Sequence, residues 1–245
     1  MSTTVAVVTG ATGTLGRRLV RTLSERGLQV VAVSRSGDAP GEGEAVAVAA
    51  DVGSPDCVGT VRDALPDGQL AALVHAIGLP GAPGVLEVDP AMLGVAVDLK
   101  AGGLLRLLAA VDDRLTEGSR IVAVGGHLGI EPTEHAPLAG VANAALANLV
   151  RQLVGPLGRR GASVHLVAPG PFESPRVDAL IASRAAGRGQ SVEEARAELL
   201  AELPAGRMPS PDDVAWAIVA LLDPHASVLT GSTLFLDGGA RRGIF

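Results

Sequence analysis

Seven short runs of apolar, β-prone residues recur along the chain: Thr3–Gly10, Leu28–Ser36, Glu44–Val52, Leu70–Gly78, Ser119–Gly126, Ser163–Gly170 and Ser232–Gly239. None alternates strictly between apolar and polar. Continuous apolarity is what strands buried on both faces of a parallel sheet require. Helical patterns separate them. Leu15, Leu19 and Leu23 fall at i, i+4 and i+8, one stripe of a helix, and Gly27 stops it. Ala101–Leu115 and Val141–Leu157 are long and mostly apolar, which predicts helices buried on more than one face. Ser191 and Glu194 form a capping box before Ala195, Leu199, Leu200 and Leu203. Ser210-Pro211-Asp212-Asp213 starts a further helix with an N-cap, proline at its first position and acids in its first turn. Strand–helix alternation throughout predicts an α/β fold, a doubly wound parallel sheet of about seven strands in a single domain over residues 1–245. The least regular stretch, Pro171–Gln190, followed by a Ser191–Leu203 helix, is a candidate substrate lid around 171–203.

The chain's 245 residues are 47% hydrophobic and 19% charged, enough for a large core. The net charge is -6 and no Lys/Arg run forms a patch, which argues against nucleic acid or an anionic membrane surface as partner. Lys100 is the only lysine and Cys57 the only cysteine, so one chain holds neither a disulfide nor a cysteine-based metal site. No His/Asp/Glu cluster has metal-ligand spacing. No apolar run reaches the roughly 18–20 residues of a membrane span, and the start lacks a signal peptide's basic region and cleavage site. The expected location is the cytoplasm.

The first strand meets the first helix through Thr9-Gly10-Ala11-Thr12-Gly13-Thr14-Leu15-Gly16. Glycines at such a turn let the backbone approach a pair of phosphates, and the helix N-terminus offers free N–H groups and a positive dipole end. The spacing is G-x-x-G-x-x-G rather than G-x-G-x-x-G. At the end of the second strand, where an acid would hold a ribose hydroxyl, stand Ser34, Arg35 and Ser36. Arg35 can pair with a 2′-phosphate, which favours NADP(H) over NAD(H), or can simply be solvated. Asp51, ending the third strand, is a candidate contact to the adenine edge or a strand-end cap.

At these residues the chain resembles the short-chain dehydrogenase/reductase family over nearly its whole length. Thr9–Gly16 resembles the family's cofactor turn, and Asp51-Val52 its adenine-contact motif. His75-Ala76-Ile77-Gly78 stands where the family has N-N-A-G. Pro169-Gly170-Pro171-Phe172-Glu173-Ser174 resembles P-G-x-V-x-T, whose last hydroxyl contacts the nicotinamide amide in relatives. The resemblance implies a Rossmann-type fold and a nucleotide site built from these positions, with Ser174 in the hydroxyl's role. It also implies four catalytic positions, and this chain departs at each. Asp98 stands for asparagine, Gly126 for serine, Ala139 for tyrosine and Asn143 for lysine. The chain contains no tyrosine at all.

A positioned acid contributes ~10²–10⁴-fold to rate, whereas positioning of the reactants contributes ~7–11 kcal/mol, so losing the acid need not abolish hydride transfer. His127, directly after Gly126, is a candidate proton donor or an exposed loop histidine. Asn143 can still hydrogen-bond a ribose hydroxyl. Asp98 can anchor a water chain or lie on a helix surface. Glu131, with Glu134 and His135, belongs to a loop bordering the expected pocket. Lys100, two residues beyond Asp98, should face another way, and His75 reads as a packing residue near the cofactor. Three functions remain open at this point: an NADP(H)-dependent oxidoreductase with a non-standard proton donor, a non-redox cyclase, isomerase or dehydratase on the same scaffold, and an inactive nucleotide-binding partner subunit. The expected partners are a small, apolar substrate and further copies of the chain in a homodimer or homotetramer, with Ile244 and Phe245 as candidate contacts.

Overall fold

All seven apolar runs form parallel strands: β1 (Thr4–Thr9), β2 (Gln29–Ser34), β3 (Val46–Ala49), β4 (Gln69–His75), β5 (Arg120–Val124), β6 (Ser163–Pro169) and β7 (Thr233–Leu236). They lie in one sheet in the order β3-β2-β1-β4-β5-β6-β7 in a computed structural model, which describes residues 4–38, 45–81 and 84–243. Ile244 and Phe245 lie outside the described residues. The chain builds the sheet outward from β1 to β3, then returns to place β4 on β1's other side. The order reverses between β1 and β4, so their carboxyl ends open a crevice at the sheet edge where α/β proteins hold ligands.

Eight α-helices cover the two faces among the described residues: α1 (Thr14–Glu25), α2 (Cys57–Asp63), α3 (Pro90–Val97), α4 (Gly103–Ala110), α5 (Pro137–Gly158), α6 (Pro175–Arg188), α7 (Val192–Ala201) and α8 (Pro211–Ala220). Strand residues alternate between the faces, so a continuous apolar run serves both. Val7, Val31, Leu73 and Ile121 pack with Leu104, Leu107, Leu146 and Val150 of α4 and α5. Val8, Val30, Val74 and Val122 pack with Leu19 and Leu23 of α1 and Val214 and Ile218 of α8. Cys57, at the start of α2, is a small buried side chain, as expected of a lone cysteine.

The capping signals hold. Both halves of the box form at Ser191–Glu194, and Ser210 makes a second with Asp213 behind Pro211. Gly27 takes φ 80°, the left-handed conformation that ends α1. Two expectations are corrected. Pro171–Gln190 is not irregular: α6 occupies most of it, started by the Ser174 N-cap and Pro175 and stopped by Gly189 at φ 65°. The same cap–proline signal that marks α8 stands there, at Ser174-Pro175. With α7, this helix builds its own small core from Val177, Ile181, Ala185, Ala195 and Leu199. Second, the helix expected to start at Ala101 is continuous with α3 through a π turn at Asp98–Gly102, and ends at Ala110 before a short 3₁₀ turn at Asp112–Arg114. No helix among the described residues is long and apolar enough to cross a membrane.

Leu19 is fully buried between α1 and the sheet, while Leu86 is 98% exposed. Leu19→Ala is therefore expected to lower stability by about 2–5 kcal/mol and Leu86→Ala by less than about 0.5 kcal/mol, read as denaturant midpoints at unchanged slope.

Candidate functional site

The turn between β1 and α1 is shaped by what its glycines lack. Gly10 has φ 68°, and a Cβ there would meet the Ala76 carbonyl oxygen at 2.6 Å. A Cβ on Gly16 would drive into the Gly10 carbonyl and lie 2.7 Å from the Ala11 Cα. Gly13 donates its N–H to the Gly10 carbonyl at 2.9 Å, folding the turn back under the helix. Gly13 is also the N-cap of α1; no side chain caps that end and no acid stands in its first turn. The N-terminal amide groups and the dipole's positive end thus face the crevice unopposed. Thr14 is exposed at this mouth, Thr12 is half-buried with its carbonyl accepting from Arg17 Nε at 2.9 Å, and Leu15 turns into the core.

At the end of β2, the Ser34 hydroxyl accepts from the Gly37 N–H at 3.0 Å and lies 3.5 Å from the Ser36 hydroxyl. This shapes a tight turn that leaves Arg35 exposed, without an ion pair among the described residues. Asp51 is exposed and one of its oxygens accepts from the Gly53 N–H at 2.9 Å, the strand-end cap reading; the other stays available. Val52 is buried, with its carbonyl taken by Arg106.

A chain of hydrogen bonds runs across the switch point. The Thr9 hydroxyl accepts from the Ala76 N–H at 3.2 Å and lies 3.0 Å from His75 Nδ1. His75 Nε2 lies 3.2 Å from the Leu99 carbonyl, which can only accept. That fixes the proton on Nε2 and leaves Nδ1 to accept from Thr9. The ring is wholly buried, and burial pushes its pKa down to about 3, with the Lys100 charge adding to the effect. His75 therefore joins β1, β4 and the π turn and presents no ring atom to the crevice; Ala76 and Gly78 carry the strand on to its rim.

The positions expected to hold catalytic groups divide. Asn143 and Gly126 come together: a Cβ on Gly126 would lie 2.7 Å from Asn143 Nδ2, so the amide fills the space a larger residue's side chain would take. Asn143 is buried, and its Oδ1 has no hydrogen-bond partner among the described residues. His127 starts a 3₁₀ turn after β5, half-buried, with Nδ1 3.4 Å from the Pro169 carbonyl. A proton on Nδ1 serves that bond and leaves Nε2 for other chemistry.

Asp98 and Glu131 are placed elsewhere. Asp98 is bound to Arg106 at 2.8 Å, and Arg106 also donates to the Val52 carbonyl. Through Arg106, Asp98 braces the π turn against Val52, just beyond β3. Glu131 accepts from the Arg242 and Gly243 N–H groups at 2.8 and 2.9 Å, and these bonds hold its carboxyl below the ordinary range. It anchors the C-terminal segment. Glu134 and His135 are exposed and pair with each other at 3.5 Å.

Two cations escaped the sequence reading. Lys100 does face away from Asp98, as a spacing of two demands, but it is Lys100 that points inward. It is 4% exposed and donates to the Ile77 and Val124 carbonyls at 2.8 Å each. Burial, then the charge of Arg176, lowers its pKa to about 8. Arg176, in the first turn of α6, reaches across to the Leu79 carbonyl. The one sequence signal was that a chain rich in arginine keeps a single lysine inside an apolar stretch. On the far wall, the Gly170 N–H donates to the Leu236 carbonyl at 2.9 Å, and a Cβ there would lie 3.0 Å from the Asp237 Cα. Phe172 packs against the α1–α8 core, and Ser174 caps α6 while donating to the Phe172 carbonyl at 3.1 Å.

Residues 10–241 match the family model described as enoyl-(acyl carrier protein) reductase. The chain is 28% identical over 246 residues to the 3-oxoacyl-[acyl-carrier-protein] reductase FabG of Vibrio cholerae, covering 96% of each. It is 32% identical to the cis-4-hydroxycyclohexanecarboxylate dehydrogenase of Sinomonas cyclohexanicum, over 96% of this chain and 95% of that one. Among solved structures, the actinorhodin polyketide ketoreductase with NADPH superposes with a TM-score of 0.86 at 27% identity, covering 97% of both chains. The chain belongs to the short-chain dehydrogenase/reductase family. Its class is that of the family's single-domain Rossmann-type oxidoreductases.

His75 and His165, the latter with a pKa lowered to about 4 by burial, are neutral when folded and return towards the ordinary 6.5 on unfolding. The unfolded chain binds more protons between these values, so their contribution is complete above about pH 6.5 and is lost as pH falls towards 4 and 3. Thermal midpoints are expected to drop across that window, and His75→Asn, though less stable overall, to show a flatter decline.

Proposed function

We propose that the chain is an NADP(H)-dependent oxidoreductase acting on a carbonyl or alcohol, with His127 as its proton donor and acceptor. The observation that carries the reading is the cradle at Gly10, Gly13 and Gly16 beneath an uncapped helix end. That donor set suits a pyrophosphate, and the unpartnered Asn143 Oδ1 suits a ribose hydroxyl. Thr12, Thr14 and the α1 amides would hold the phosphates, Arg35 the 2′-phosphate, Asp51 the adenine side and Ser174 the nicotinamide amide. The NADPH named with the actinorhodin ketoreductase supports the choice of cofactor. When bound, the nicotinamide supplies or accepts a hydride.

The chain's own part follows from its geometry. The Pro169 carbonyl orients the His127 ring through Nδ1, and Nε2 gives a proton to the substrate oxygen during reduction or takes one during oxidation. The Asn143 amide, against Gly126, keeps the cofactor side of the crevice filled. The π turn and the β4 loop hold the floor. The relatives described above carry reductase and dehydrogenase names, which favours redox chemistry over a cyclase or partner-subunit role. We further propose a cytoplasmic protein that self-associates through α4 and α5, where Leu105 and Val141 are 47% and 48% exposed; light scattering at micromolar concentration should give at least a dimer.

Titration with NADPH and NADH, followed by nicotinamide fluorescence, is the direct test. NADPH is expected to bind more tightly, and Arg35→Ala to remove most of that preference, about tenfold or more, while leaving NADH affinity unchanged. His127→Ala is expected to lower turnover by about 10²–10⁴-fold at unchanged cofactor affinity. Failure of both nucleotides to bind at high micromolar concentration refutes the oxidoreductase reading.

A further inference from the structure

The floor of the crevice carries positive charge that no acid neutralises. Buried Lys100 gives its hydrogen bonds to the main-chain carbonyls of Ile77 and Val124, and Arg176, an exposed residue in the first turn of α6, reaches the Leu79 carbonyl. Neither cation meets a carboxylate among the described residues. The nearby charged or titratable groups are mostly committed or neutral; Glu173, in the turn before α6, is exposed and acts on Arg207. On the same π turn, Asp98 is bound to Arg106. On α6, Asp178 is paired with Arg196. On β4, His75 is neutral and bonded at both nitrogens. After β5, His127 adjoins the Pro169 carbonyl, and on α5 the nearby polar group is the neutral Asn143 amide.

A buried ammonium without a counter-charge is unfavourable, and a second cation beside it makes the position worse. Arg176 is the only charged group that perturbs Lys100, and it does so by repulsion. The lysine is held there by a π turn, a rare element that concentrates at functional sites. A negatively charged oxygen between the two would relieve both. The acceptors of Lys100 and Arg176, residues 77, 79 and 124, border the rim of β4 and the end of β5, three residues before His127.

We propose that Lys100 and Arg176 form an anion subsite, and that the substrate carries an anionic oxygen close to its reacting carbonyl: the carboxylate of an oxo acid or the enolate of a β-dicarbonyl. The carbonyl half of this statement rests on the oxidoreductase reading; the anion half does not. It also narrows the earlier expectation of a simply apolar substrate. No covalent step involves the lysine, whose charge acts at a distance or through hydrogen bonds. A substrate whose oxygen is already anionic, or becomes so as hydride arrives, is stabilised before any proton reaches it.

The single lysine makes the test direct. Isotope-labelled lysine gives one side-chain signal, and its pH titration reads Lys100 without turnover or cofactor. The probes are an α-oxo carboxylate, its methyl ester and a cyclic β-diketone. The carboxylate is expected to move the titration of Lys100 upward from about 8 and the ester to leave it in place. A shift by the diketone, confined to pH values where it is ionised, would assign the enolate instead. Arg176→Ala should weaken the active probe about tenfold or more, and Arg176→Lys should recover part of it, with NADPH affinity unchanged in both. Equal binding of acid and ester, or a titration that no probe displaces at millimolar concentration, overturns the proposal. Absence of nicotinamide binding with a lysine that still responds to carboxylate would refute the redox reading and leave the anion subsite standing.

Discussion

The site depends on one buried hydrogen-bonded thread, Thr9 to His75 to Leu99. It crosses the point where the strand order reverses, so it joins the chain's first strand to its fourth and both to the π turn. Thr9 and His75 are wholly removed from water, which makes an unpaired member costly and the alignment of the two strand ends strict. With β1 and β4 held together, the Gly10 turn lies against the Ala76 carbonyl, and there is no room there for a side chain. The phosphate cradle and the loop carrying Gly78 are therefore positioned by the same interaction. Because the thread requires a neutral imidazole, it also couples the geometry of the crevice to pH.

Around that frame, two of the candidate acids are tied up elsewhere. Asp98 braces the π turn through Arg106, and Glu131 ties down the chain's end. Between the glycine turn and the end of β5 stand a helix N-terminus, an asparagine amide, a histidine and two cations bonded to carbonyls, while Asp51 stays at the outer end and Asp237 lies behind Gly170. Such a surface suits ligands rich in negative oxygen and disfavours a carboxylate general base. The absence of tyrosine changes the chemistry that must supply the proton, but it does not change this sign of charge.

The exchange at Gly126 and Asn143 shows how packing compensates for composition. Removing the side chain at one position would leave a void next to the cofactor side of the crevice. The amide on α5 occupies it, with Nδ2 2.7 Å from where a Cβ would begin. Restoring a side chain at 126 would collide with that amide, so the two positions are constrained as a pair. Oδ1 is buried and has no hydrogen-bond partner among the described residues, so part of the amide's bonding capacity is unused.

Much of the fold was legible in the chain because local rules suffice for it. Two-faced apolar runs specify a parallel sheet, glycine triplets after the first run specify a phosphate turn, and serine-proline-acid strings specify helix starts. Asn143 and His127 are candidates through the family resemblance, which fixes their places on α5 and after β5, rather than through local rules. Local rules did not reveal that Lys100, rather than Asp98, points inward. That depends on a π turn between α3, which packs on α5, and α4, which packs on the sheet. They did not reveal that Glu131 would find two N–H groups over a hundred residues away, or that Arg176 would span the crevice to Leu79. Sequence patterns determine which residues share a face; which distant partner each polar group meets is decided when the layers close, because hydrogen bonds between remote segments leave no periodic trace in the chain.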